Sequence, residues 1–132
     1  MILLPTTLCM AAAAALINFW LAMRCGQVRM KEKIYIGTGG NDLLERRMRA
    51  QLNFAENTPW VLFLIAGIEL AGKGAGWLAI VGAAFMLARV AHGFGMDGGS
   101  LEKGRGLGVM VTMVTQIGLA IVAVLVATGM MQ

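Results

Sequence analysis

LGVMVTMVTQIGLAIVAVLVATGMM, residues 107 to 131, runs on without one charged side chain. About 20 apolar residues cross the hydrocarbon of a bilayer, so this stretch predicts a transmembrane helix. Ile2 to Met23 is a second charge-free run, polar only at Thr6, Thr7 and Asn18. A cleaved secretory leader is the competing reading, yet a leader carries its basic residues before the apolar core and here they follow it. Phe54 to Ala71 and Gly74 to Ala91 supply two more spans, and composition agrees: of 132 residues 58% are hydrophobic and 14% charged. A mean hydropathy of +0.74 excludes an ordinary soluble domain and a disordered chain. Four spans leave no room for a second domain, so residues 1–132 are expected to form a single all-α, integral membrane four-helix bundle.

The basic residues are placed unevenly. Arg24, Arg29, Lys31, Lys33, Arg46, Arg47 and Arg49 fall between the first two spans, and Arg89, Lys103 and Arg105 are assigned to the third connection, whereas the second has only Lys73. Positive residues stay on the cytoplasmic side, which puts the first and third connections inside and both termini outside, periplasmic in a bacterium. The net charge of +4 therefore marks a membrane face, and no basic fold motif suggests a nucleic-acid partner. Cys9 and Cys25 make no disulfide framework and are expected to be buried. One histidine, His92, gives no metal spacing.

Gly37 to Gly40 form a turn, after which Asn41 or Asp42 can cap a helix, with Glu45 placed for a capping box after Asp42. Helix two is thus expected to begin near residue 43, outside the lipid, and to bend at Pro59. Spacings of three, four and three put Arg46, Arg49, Asn53 and Glu56 on one polar stripe, with Arg47 and Gln51 on another side. Glu56 lies within the apolar boundary, where an unpaired carboxylate is costly, so it requires a partner. That partner is either an arginine of its own bundle or a ligand carrying both signs of charge. For a ligand, arginine forks suit carboxylates, a carboxylate suits an ammonium and the asparagine amide suits peptide groups.

The run Arg49-Ala50-Gln51-Leu52-Asn53-Phe54-Ala55-Glu56-Asn57-Thr58-Pro59 resembles the helix-two signature of the MAPEG superfamily, the membrane-associated proteins in eicosanoid and glutathione metabolism. Chain length, four spans and Ala88-Arg89 extend the resemblance over nearly the whole chain, toward the small bacterial, microsomal glutathione transferase-like members. It implies a homotrimer in the bacterial inner membrane that binds glutathione between subunits on the cytoplasmic side, with an opening toward lipid for a hydrophobic small-molecule substrate. Carried over by position, Arg49, Gln51, Asn53 and Glu56 match glutathione-binding positions, and Arg29 matches an arginine at the end of helix one. Arg105 matches the arginine that activates the thiol, with Lys103 as the alternative. Asn57, His92 and Met96 stand where many members have tyrosine; His92 either replaces that contact or is a satisfied interface residue.

These implications leave three functional classes. The first is a detoxifying transferase or peroxidase using glutathione as co-substrate, and the second a non-catalytic lipid- or glutathione-binding scaffold. The third is a small proton-coupled exporter using Glu56 or Glu69, although an ion pair with Lys73 at a spacing of four also explains Glu69. Met110 and Met113, a turn apart, fit either an adaptable substrate surface or core filling.

Overall fold

A computed structural model describes residues 1–131. Four helices follow one another: α1 (Pro5–Glu32), α2 (Asp42–Leu70), α3 (Gly76–Gly95) and α4 (Lys103–Ala127), with a 3-10 turn at Gly99–Leu101 before α4. Each packs on the next, α2 also packs on α4 and α1 on α3, while α1 and α4 share no contact among the described residues. α1, α3 and the segment Gly99–Ala127 are long and apolar enough to cross a membrane. α2 falls outside that group because Glu56, Asn57, Thr58 and Pro59 interrupt its apolar part. Between the helices lie Leu21, Phe54, Val61, Ile65, Leu78, Phe85 and Leu119, each buried. The outer surface is apolar as well, with Leu16, Phe63, Ile80, Leu87, Ile117 and Val124 all exposed, as a lipid solvent requires. Met110 and Met113 belong to that surface and fill no core gap. Of the cysteines, Cys25 is buried but Cys9 is exposed, which corrects the expectation of burial for both.

α1 continues well beyond Met23, because nothing after it breaks a helix until Lys33 takes a left-handed conformation at φ 57°. The amide of Ile34 then bonds back to the Arg29 carbonyl at 3.0 Å. At the start of α2 the cap is Asn41, whose Oδ1 accepts from the Leu44 amide at 2.9 Å, so no box is built on Asp42. α2 passes through Pro59 as one helix.

Glu69 does not pair with Lys73. Its carboxylate instead reaches α1 and accepts from the amides of Thr6 and Thr7, both at 2.8 Å, and from the Thr7 hydroxyl at 2.7 Å. A carboxylate at a helix amino end satisfies orphan donors and the helix dipole together, which an exposed ion pair with Lys73 cannot match. At the opposite, basic end, α3 and α4 approach closely. A Cβ on Gly95 would run into the backbone of Arg105, and one on Gly108 into His92. Glycine at these positions sets where both of those side chains emerge.

Candidate functional site

The basic end carries a cleft of about 470 Å³ between α2, α3 and α4. α2 lines it with Arg46, Arg49, Asn53 and Glu56, so the stripe with spacings of three, four and three faces a single space. α3 adds His92 and Met96, and α4 adds Arg105 and Val109. Arg46 is held by the Asp42 carboxylate at 2.7 Å, a hydrogen bond that keeps its guanidinium more firmly protonated than usual. Arg49, Glu56 and Arg105 are different: among the described residues none of their side chains has a hydrogen-bond or ion-pair partner. The alternative in which Glu56 pairs with an arginine of its own bundle is therefore not realised. Arg24 and Arg47 bind Asp97 and Arg89 binds Asn53, so each guanidinium buried in the bundle is already turned elsewhere.

Asn53 is half-engaged. Arg89 Nη2 donates to its Oδ1 at 2.6 Å, while its Nδ2 makes no bond to the protein among the described residues. His92 is only 3% exposed, yet it lines the cleft, and its imidazole has no hydrogen-bond partner among the described residues. Asn57 is turned away from this chemistry: its Nδ2 donates to the Asn53 carbonyl at 2.8 Å, and its Oδ1 accepts from Gln116 Nε2 at 3.1 Å.

Arg29 and Gln51 lie elsewhere in the subunit. They line a second groove of about 480 Å³ on the α1 side of α2, together with Asn18, Cys25 and Met48. Arg29 Nη1 braces the turn by donating to the carbonyls of Ile34 and Gly37, at 3.1 and 2.9 Å. Gln51 Nε2 reaches Asn18 Oδ1 at 3.4 Å. Lys103 is exposed and lines neither space, so of the two basic candidates at the start of α4 only Arg105 reaches the cleft.

Two buried polar constructions escaped the reading of the sequence. Asp97, just after α3, takes ion pairs from Arg24 of α1 and from Arg47 of α2, the latter at 3.0 Å. Arg24 also donates to the Gly93 carbonyl at 2.8 Å and lies 5.0 Å from the ring centroids of both Trp20 and Phe94. The other is Arg89, assigned to a connection by charge counting but in fact 1% exposed inside α3. An arginine within an apolar run is itself a signal, because an intramembrane charge must face the bundle interior.

Among the described residues the cleft thus offers two partner-free guanidiniums, Arg49 and Arg105, two partner-free carboxylates, Glu45 and Glu56, and an amide, a set that can hold a small molecule bearing carboxylates and an ammonium. No curated protein matches the chain. The family model described as MAPEG family matches residues 7–125, and the chain belongs to that family. It is accordingly a membrane protein of a family associated with eicosanoid and glutathione metabolism.

Proposed function

We propose that this MAPEG protein binds glutathione in the α2–α3–α4 cleft and transfers it to hydrophobic electrophiles, or uses it to reduce lipid hydroperoxides. The observation that carries this reading is the convergence on one cleft of Arg49, Glu56 and Arg105, opposite charges without partners among the described residues. Glutathione has two carboxylates, an ammonium and a thiol. Arg49 takes a carboxylate and Glu56 the ammonium, each as a charge-assisted hydrogen bond. Arg105, in the first turn of α4, is the thiol partner, since a cation and a helix amino end both favour thiolate over thiol.

In transfer, the thiol proton leaves to water, the thiolate sulfur attacks the electrophilic carbon, and the bond from that carbon to its leaving group breaks with departure of the anion. In the peroxidase reaction two glutathiones give up two electrons to the peroxide bond, forming one disulfide, an alcohol and water. The apolar outer surface beside the cleft gives a hydrophobic substrate access from lipid.

The active unit in this reading is a homotrimer. Arg29 and Gln51 face away from the cleft of their own subunit, so they serve a ligand only where the second groove meets a neighbour's cleft. The assembly belongs to the bacterial inner membrane, with the basic end cytoplasmic and the termini periplasmic. Calorimetric titration of the detergent-purified protein with glutathione tests the reading: a dissociation constant between micromolar and millimolar is expected, and no binding overturns it.

One observation favours the scaffold as a second reading. Asn57 is occupied within the bundle and Met96 lines the cleft with a thioether, so neither supplies a hydroxyl to a bound thiol. A scaffold binds glutathione without thiolate absorbance and without conjugation.

A further inference from the structure

Arg89 presents a problem of satisfaction. Its guanidinium is buried, has no carboxylate within ion-pair distance among the described residues, and leaves Nε without a partner. Its neighbours are the Thr112 hydroxyl, at 3.0 Å from Nη1, the Asn53 Oδ1, at 2.6 Å from Nη2, and the Phe54 ring, 5.9 Å from the guanidinium carbon. The Thr112 hydroxyl gives its only hydrogen to the Gly108 carbonyl at 2.7 Å, so toward Arg89 it can only accept.

A guanidinium only donates, and this fixes the Asn53 amide by chemistry. The oxygen must face Arg89, because the opposite orientation would set N–H against N–H beside a buried charge. We propose that Arg89 is a positioning residue that holds Asn53 with its two Nδ2 hydrogens toward the cleft, so that Asn53 binds only acceptor groups of the ligand, carboxylate or peptide carbonyl, and rejects ammonium. Along α2 the cleft then presents donors at Arg49 and Asn53 with a carboxylate on either side, Glu45 before them and Glu56 after. This inference rests on the glutathione reading above and specifies which groups of that ligand each position receives.

The test compares Asn53→Asp with Asn53→Ala, using glutathione as the probe and detergent-solubilised full-length protein. Asp keeps an oxygen on Arg89 and gives it the counter-charge it lacks, while the second oxygen replaces the cleft-facing donor. The expected result is a melting temperature for Asn53→Asp at or above wild type, with glutathione affinity lowered about 10- to 100-fold, more than in Asn53→Ala. Stability and affinity then move in opposite directions, which a purely structural role for Asn53 does not produce. Arg89→Met should weaken binding by freeing the amide, and Arg89→Lys should restore part of it. Asn53→Asp binding glutathione as well as wild type, or melting well below it, overturns the inference while leaving the glutathione reading intact. Wild-type protein that binds no glutathione removes both.

Discussion

Glu69 closes over the amino end of α1, and its Oε2 takes both the amide and the hydroxyl of Thr7, at 2.8 and 2.7 Å. The contact joins residues 62 apart in the chain at the end of the bundle remote from the charged cleft. It replaces the sequence-local partner Lys73, four residues away, because two orphan helix amides are better donors to this carboxylate than a hydrated ammonium.

Replacing Glu69 with Gln keeps one acceptor oxygen and removes the charge, so a stability loss of about 1–2 kcal/mol is expected, as for a lost amino-terminal cap. Thermal melting in detergent measures it. Glutathione affinity should be unchanged in the same variant. A carboxylate committed to three donors is poorly suited to proton coupling, so reconstituted vesicles should show no Glu69-dependent proton flux.

Asp97 should be far more sensitive. Asp97→Asn leaves the Arg24 and Arg47 guanidiniums, each mostly buried, facing a neutral amide, and loss of one partner of a buried ion pair costs about 3–5 kcal/mol. Arg47→Ala should cost less, since Arg24 still neutralises Asp97. Arg46→Ala, which breaks an exposed and solvent-screened pair, should cost least of the three. Melting temperatures in the order Asp97→Asn, Arg47→Ala, Arg46→Ala, lowest first, check the series. An Arg47→Ala as stable as wild type would show that the clamp does not hold α2.

These two cases mark what the sequence can tell. The charge-free runs 2–23 and 107–131 show the helical membrane architecture, because the bilayer allows so few solutions. The stripe Arg46, Arg49, Asn53 and Glu56 was equally visible, since helical period alone puts those residues on one face. Periodicity says nothing about tertiary partners. Arg47 reads as a solvated residue until the end of α3 brings Asp97 to it, and Arg89 reads as a connection charge until Asn53 and Thr112 enclose it. Arg29 and Gln51 share a groove away from the cleft because Gln51 lies on the other side of α2, a fact of helical angle whose use depends on assembly.

Arg49→Ala and Glu56→Gln should each weaken glutathione binding about 10- to 150-fold, the worth of one charge-assisted hydrogen bond of roughly 1.5 to 3 kcal/mol. Neither side chain has a partner among the described residues, so melting temperature in the absence of ligand should change little. Titration and melting of the same preparations separate binding from folding. Both variants binding like wild type would leave the stripe without a ligand role.

Orientation is checked independently of any ligand. A reporter fused after Gln132 should lie outside the cytoplasm and one inserted near Gly39 inside it, because the basic residues cluster at the end of the bundle that bears the first and third connections. A cytoplasmic C-terminal reporter would put Arg49 and Glu56 in the compartment opposite to the one proposed.

Arg105→Ala tests the chemistry. Arg105 lines the cleft from the first turn of α4, and Gly95 lets the α3 backbone pass directly beneath it, so its guanidinium is carried by a rigid junction. A cation acting mainly on the sulfur favours thiolate over thiol, whose unperturbed pKa is about 8.5, and contributes little to holding the ligand's carboxylates. Glutathione affinity should therefore stay within a few fold, whereas thiolate absorbance of the bound ligand should fall. Conjugation to a model aryl halide should slow about 10- to 100-fold, corresponding to a lost stabilisation of about 1.4 to 2.7 kcal/mol. Lys103→Ala is the control, since Lys103 is exposed and does not line the cleft. A larger rate loss at Lys103 would transfer the role to it. Wild-type protein that binds glutathione with neither thiolate absorbance nor conjugation would place the chain among the scaffolds.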